Sequence, residues 1–442
     1  MAPLDTSPNE LESYWLPFTP NRAFKKNPRM FAGAKDMHFT TPDGRKIIDS
    51  SSGLFCVGAG HCREPIVEAI QQAAAKLDFA PPFQYGHPQL FELSSRLALM
   101  APGDLDHALF ACSGSEAVET AMKVALAYHK ARGEGARTRF IGRERGYHGV
   151  NFGGISVGGM VNNRKAFGNM LTGVDHMKTT YSHEHQAFSV GEPEWGAHLA
   201  DELEHLIALH DASTIAAVIV EPIAGSTGCL PPPKGYLEKL RAITEKHGIL
   251  LIFDEVITAF GRIGYGFAAE RYDVVPDMIT FAKGVTNGAV PMSGVMVRNG
   301  VYDAHMQGPD YLIELFHGYT YSGHPLAVAA GLATLNVYRD EGLFERCLEH
   351  EAYFAELMMS LKDAPNVTDI RPIGLMAGID IAANGRKPGE RGYQAIEAMY
   401  HEHDLYCRVT MDTLIVAPPL IATKSELEEI RDKISTVLHA VA

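Results

Sequence analysis

From residue 108 onward the chain alternates two patterns. Short apolar runs closed by turn-forming residues predict strands near 108–112, 138–142, 215–221, 249–254, 278–282 and 293–298. Between them, apolar positions at helical spacing predict helices near 115–132, 198–210 and 235–247, the last stopped by Gly248. Such a rhythm predicts an α/β fold with a mostly parallel central sheet covered on both faces. Upstream, two amphipathic helices are expected at 65–77 and 88–101, joined by a Pro- and Gly-rich loop that displays Phe83 and Tyr85. Residues 1–60 read as irregular and aromatic, with a hairpin around Pro42-Asp43-Gly44. A long helix at 326–339 leads into a second α+β region, with helices at 343–362, 393–405 and 425–441 and strands at 370–382 and 413–417. The last helix carries an apolar stripe (Leu427, Ile430, Ile434, Val437, Leu438) and an expected capping box, Ser425-x-x-Glu428. The expected division is an N-terminal segment 1–60 packing with the small domain, a large domain 61–325 and a small domain 326–442.

Two of the buried-strand patterns end in polar residues that a buried strand does not need. Ile249–Phe253 runs into Asp254, and Met278–Ala282 runs into Lys283. Both residues would therefore stand at the carboxyl edge of the sheet, where open α/β folds bind ligands. Composition narrows what that ligand can be. The net charge is −14, with 53 acidic against 39 basic residues and no basic cluster, which argues against a nucleic acid partner. The six cysteines contain no C-x-x-C pair and read as thiols of a reducing compartment, with no zinc or other metal site. Without a signal pattern or an apolar run of membrane length, the chain is expected to be soluble and cytoplasmic.

A third polar cluster, Ser113-Gly114-Ser115-Glu116, joins a strand to a helix. Its turn amides and the positive end of the helix suit a phosphate, although Ser-Gly-Ser is equally a plain N-cap. The run Leu250–Glu255 also resembles the magnesium-holding strand of a P-loop ATPase. That class needs G-x-x-x-x-G-K-[ST], and no Gly-Lys dipeptide occurs in the chain. The G-x-G-x-x-G dinucleotide fingerprint is missing from the early βαβ units as well. One phosphate site, one acid and one amine remain, and pyridoxal phosphate fits them. The lysine would form a Schiff base with its aldehyde, and the carboxylate would pair with its ring nitrogen. Val256 and Tyr147 are candidates for the two ring faces, though Tyr147 and His148 equally read as packing residues of a loop.

These motifs resemble the class III aminotransferases of the fold-type I pyridoxal-phosphate enzymes along essentially the whole chain. The resemblance rests on Ser113–Ala117, Gly146-Tyr-His-Gly149, Val220-Glu-Pro-Ile-Ala-Gly225, Phe253-Asp-Glu-Val256, Phe260-Gly-Arg262-x-Gly264, Ala282-Lys-Gly284 and His317–Pro325. Within that family the chain looks most like the pyruvate-dependent ω-amino acid and amine transaminases. The resemblance implies that Lys283 is catalytic and that Ser113, Gly114, Ser115, Tyr147, His148, Glu221, Asp254 and Val256 bind the cofactor. Thr320 would reach the phosphate of a neighbouring subunit's cofactor, which implies a homodimer, or a dimer of dimers, with shared sites. Tyr14, Phe18, Phe55, Phe83, Tyr85, Tyr147 and Ile257 are implied as substrate walls, and Arg408 as the arginine that binds a substrate carboxylate. Tryptophan is common in the family where this chain has Phe55, so a wider pocket is expected. The implied reaction is ping-pong: an amine donor gives its amino group to the cofactor, and pyruvate carries it away as alanine. An aminomutase or decarboxylase on the same scaffold, or a regulator that only binds the cofactor, are the alternatives.

Overall fold

In the computed structural model, which describes residues 11–442, the apolar runs pair into one seven-stranded sheet. Its order is His107–Ala111, Ser293–Val297, Met278–Phe281, Leu250–Asp254, Ile215–Val220, Arg139–Arg143 and Val174–Met177. Neighbours from Met278–Phe281 to Val174–Met177 are parallel, and Ser293–Val297 runs antiparallel to both of its neighbours. The alternation of side chains along each strand decides what covers which face. Ala217, Ile219 and Ile252 pack with Ala117, Ala121 and Val124 of the helix Gly114–Ala131. Val218, Val220, Leu251 and Phe253 belong to the opposite layer with Leu203 and Leu240, from the helices Glu202–His210 and Tyr236–Lys246. Every residue of Ile215–Val220 and Leu250–Asp254 is buried, as expected for strands covered on both faces.

A second, antiparallel sheet has the order Val367–Ile373, Met376–Ile381, Thr413–Val416 and Arg408–Thr410. The third is built from Gly33–Lys35, His38–Thr40 and Lys46–Asp49, and its last strand pairs in parallel with Leu405–Tyr406. Early and late chain are thus joined by backbone hydrogen bonds.

Several expectations are corrected. The stretch 370–382 is two strands, not one, because Gly374 turns the chain with φ +54° between Ile373 and Met376. The stretch 198–210 begins as a 3₁₀ turn, Ala197–Asp201, and becomes α-helical at Glu202. The capping box of the last helix is formed by Thr423 and Glu426, two residues before the expected Ser425 and Glu428. Thr423 has the extended backbone that an N-cap needs, while Ser425 already lies in the first turn. Val174–Met177 and Leu405–Tyr406 are strands that the apolar pattern did not reveal, being short and at sheet edges, whereas Arg408 opens the short strand Arg408–Thr410, as expected of it. All six cysteines are free, and no described helix is long and apolar enough to cross a membrane.

Candidate active site

At the carboxyl edge of the large sheet, one pocket is lined by Gly114, Ser115, Tyr147, His148, Glu221, Asp254, Val256, Ile257 and Lys283, together with Gly149 and Ala282. They arrive on five stretches of chain: 114–115, 147–149, 221, 254–257 and 282–283. The turn after His107–Ala111 opens the helix Gly114–Ala131, where Ser113 is the N-cap. The Ser113 hydroxyl accepts the Glu116 N–H and its carbonyl accepts that of Ala117, while the Glu116 carboxylate accepts the N–H groups of Cys112 and Ser113. That capping box leaves the amides of Gly114 and Ser115 as the free donors of the first turn, next to the pocket. Ser113 itself is exposed and outside the lining, its hydroxyl committed to the cap. The Ser115 hydroxyl accepts the N–H of Val150 at 3.0 Å. Gly149 has φ +95°, and a Cβ there would come within 2.4 Å of Ser115 Oγ, so this approach requires glycine.

Asp254 is buried and held by three donors. The Val256 N–H (3.2 Å) and the Thr280 hydroxyl (3.1 Å) reach Oδ1, and His148 Nδ1 lies 2.8 Å from Oδ2. Since a carboxylate only accepts, Nδ1 of His148 carries the hydrogen. Glu221 lies beside this pair with its own carboxylate taken by backbone: the N–H of Tyr147 at 2.8 Å and that of Gly225 at 3.1 Å. Burial, with Asp254 adding and His148 opposing, pushes the Glu221 pKa up to about 7. The Tyr147 hydroxyl is likewise raised by burial, partly offset by Arg408.

Lys283 directly follows the strand Met278–Phe281 and Ala282, and has a left-handed backbone, φ +47°. Such a conformation is strained for a side chain with a Cβ and is common at functional positions. Burial lowers the pKa of its amine, with Arg408 adding and Cys56 and Asp254 opposing. A lysine biased toward its neutral form is the form that attacks a carbonyl. One amine, one thrice-donated carboxylate and two free helix-terminal amides share a single pocket. That donor set fits an aldehyde, a protonated ring nitrogen and a phosphate on one molecule, so the residues present match pyridoxal phosphate.

The substrate residues divide. Ile257 lines the pocket, Phe55 is buried, and the guanidinium of Arg408 lies 5.7 Å from the centre of the Phe55 ring. Phe18, Phe83 and Tyr85 are 78%, 56% and 74% exposed, and the single chain does not bring them into the pocket. Tyr14 and Thr320 are exposed as well. A Cβ on Gly318 would meet the Phe83 ring at 3.2 Å, and the 317–320 segment is pinned to the helix Gly114–Ala131 through His317, bonded to Thr120 and Lys123. Thr280 was not anticipated as part of the site; its signal was a polar residue in an otherwise apolar buried strand. Ser51, whose hydroxyl accepts the Arg408 N–H at 2.8 Å, left no comparable mark.

This sheet edge, with a lysine, an acid and a phosphate-type helix terminus, defines a fold-type I pyridoxal-phosphate enzyme. The family model described as aminotransferase class-III matches residues 22–438, and the chain belongs to that family of pyridoxal-phosphate-dependent aminotransferases. It is 55% identical over 437 residues to an omega-aminotransferase of Caulobacter vibrioides, covering 99% of each chain. It is 45% identical over 445 residues to a beta-alanine–pyruvate aminotransferase of Pseudomonas aeruginosa, covering 100% of this chain and 99% of the other. Among solved structures, a thermostable (S)-enantioselective omega-transaminase from Thermomicrobium roseum superposes with a TM-score of 0.91 at 33% identity, covering 97% and 96%. An amine transaminase from an uncultivated Pseudomonas species, solved in its PLP-bound form, gives 0.90 at 32% identity, covering 98% and 100%.

Proposed function

We propose that this aminotransferase moves an amino group from an ω-amino acid or primary amine to pyruvate, releasing an aldehyde or ketone and alanine. The observation that carries the reading is the shared pocket of Lys283 and Asp254, with Arg408 close enough to lower the amine's pKa further. The two relatives at 55% and 45% identity support the substrate class by their names. When bound, pyridoxal phosphate supplies an aldehyde that takes up the donor's nitrogen and a ring that accepts carbanion charge. The protein's part is to hold, orient and move protons. Gly114 and Ser115 would hold the phosphate with backbone amides, and Val256 and Tyr147 would press on the two ring faces. Asp254 would pair with the ring nitrogen, its side chain oriented by Val256, Thr280 and His148. The Lys283 amine would move the proton at the reacting carbon, serving in turn as general base and general acid. Arg408 would bind a substrate carboxylate with both nitrogens of its planar fork and lie against Phe55 when the substrate has none.

The same reading covers assembly. Trp15, Phe18, Phe83, Tyr85, Tyr311 and Phe316 are large, mostly apolar side chains that stand more than half exposed. An isologous dimer would cover such residues and would bring Thr320 to the partner's cofactor phosphate. A large domain at 61–325, a small one at 326–442 and an N-terminal segment docked on the latter by the Lys46–Asp49 and Leu405–Tyr406 pairing complete the proposal, in a cytoplasmic enzyme.

The test is spectroscopic. The visible absorbance of the purified holoenzyme should bleach on adding β-alanine or a primary amine and return on adding pyruvate. No bleaching with any amine, or no return with pyruvate, sinks the pyruvate-linked reading. A carbon-skeleton product without a keto acid acceptor would favour the mutase or decarboxylase alternative.

A further inference from the structure

Outside the pocket, a cluster of charged side chains centres on Arg371 in the strand Val367–Ile373, buried to 2% exposure. Its guanidinium donates to both oxygens of Asp380 at 2.8 and 2.9 Å, to Asp369, and to the Gly228 carbonyl at 2.9 Å. It also lies 4.9 Å from the centre of the Tyr181 ring, whose hydroxyl donates to Asp369 at 2.6 Å. Buried ion pairs of this kind are weak evidence for stability, because desolvation offsets most of the attraction. Their geometry is informative in another way, since every bond of a planar fork fixes a direction.

Two chains of bonds leave Arg371. Toward the large sheet, the Gly228 N–H donates to the Gly225 carbonyl (3.2 Å), and the Gly225 N–H donates to the Glu221 carboxylate that also holds Tyr147. Toward the C-terminal sheet, Asp380 accepts the Thr413 hydroxyl at 2.6 Å, and the strand Thr413–Val416 pairs with Arg408 through Ile415. The two parts are pressed together: a Cβ on Gly378 would fall 2.0 Å from the Gly228 carbonyl oxygen. Arg371 therefore stands where the loop below Glu221 and Tyr147 meets the sheet that bears Arg408.

We propose that Arg371 is a positioning residue for the carboxylate end of the substrate, setting the C-terminal sheet and its Arg408 in register with the 225–228 loop. This rests on the reading of Arg408 as the carboxylate-binding residue. A lysine has three donors on one nitrogen and no planar fork, so it cannot meet both oxygens of Asp380 in parallel while reaching Asp369 and the Gly228 carbonyl, and Arg371→Lys keeps the charge and loses the register.

The test uses the holoenzyme carrying Arg371→Lys, Tyr181→Phe or Arg408→Ala. KM and kcat are measured for β-alanine and for propylamine, and the Kd of propionate by calorimetry. Arg371→Lys is expected to raise the β-alanine KM and the propionate Kd about tenfold and to leave propylamine kinetics within about twofold, as displacement of a binding group does. Tyr181→Phe should shift the same two quantities in the same direction by a smaller factor, and it decides the matter if the lysine variant does not fold. An unchanged propionate Kd, or an equal loss for both amines while Arg408→Ala is selective, overturns the positioning role alone. An Arg408→Ala variant that loses both substrates equally overturns the Arg408 reading and this inference with it.

Discussion

His148 Nδ1 lies 2.8 Å from Asp254 Oδ2, and both side chains are buried. The histidine is one of three donors that hold the Asp254 side chain in place, so any part it plays in the proposed reaction runs through Asp254. A hydrogen bond to a charged group contributes about 1.5–3 kcal/mol, or roughly a tenfold to hundredfold effect. His148→Phe should therefore keep the cofactor site, since the Val256 and Thr280 donors remain, and lower kcat at least about tenfold. Steady-state rates at saturating cofactor test this, and an unchanged kcat refutes it.

Lys283→Ala removes the one lysine among the described residues lining the pocket, and no apolar side chain of either core layer. Folding and melting temperature should stay close to the parent's, while turnover falls by about 10²–10⁴-fold, the usual contribution of a positioned general acid–base group, or more. The visible absorbance characteristic of the lysine-bound cofactor should be lost. Retention of that band in the variant would sink the lysine assignment.

Glu221 gives a pH signature. Its carboxyl keeps its proton to about pH 7 in the folded chain, against an ordinary value of 4.5. Between those values the folded state binds more protons than the unfolded one, so this group's contribution to stability falls as pH rises through the window. Glu221→Gln removes the titration and leaves a constant offset. The Tm of the variant minus that of the parent should become more positive from about pH 5 to about pH 8. A difference that stays flat, or falls, would show that Glu221 is not raised.

The last helix tests a smaller point. Thr423→Ala should cost about 1 kcal/mol, within the 0.5–2 kcal/mol usual for an N-cap, and Ser425→Ala should cost close to nothing. Urea midpoints of the two variants separate them, and equal losses would restore the cap to Ser425. The misplacement shows what the linear pattern leaves open. Two overlapping Ser/Thr-x-x-Glu boxes lie in 423–428, and only the backbone decides between them.

The same limit divides the site. Asp254, Lys283 and Gly114 were legible because each breaks an apolar run or opens a helix at the sheet edge, where local pattern and position in the fold coincide. Thr280, Ser51 and Arg371 are hydrogen-bonded to partners 26, 357 and 143 positions away, and no spacing in the chain marks such pairs. The aromatic walls fall between these cases. Phe55 is buried and the aliphatic Ile257 lines the pocket, whereas Phe18, Phe83 and Tyr85 stand on the chain's surface.

That surface placement makes the shared site testable by complementation. If Thr320 serves the partner's cofactor, each site takes its lysine from one chain and its threonine from the other. Thr320→Glu would set a negative charge against the phosphate and weaken cofactor binding, and Lys283→Ala abolishes chemistry. Homodimers of either variant should be inactive at limiting cofactor. A mixed dimer should hold one intact site, with the lysine of the Thr320→Glu chain and the threonine of the Lys283→Ala chain. Its activity should approach half that of the parent dimer per mole. Were Thr320 to act within its own chain, the only chain with a lysine would also carry the glutamate, and the mixed dimer would be as inactive as its parents. Co-expression with two affinity tags and assay of the doubly tagged species distinguishes the two outcomes.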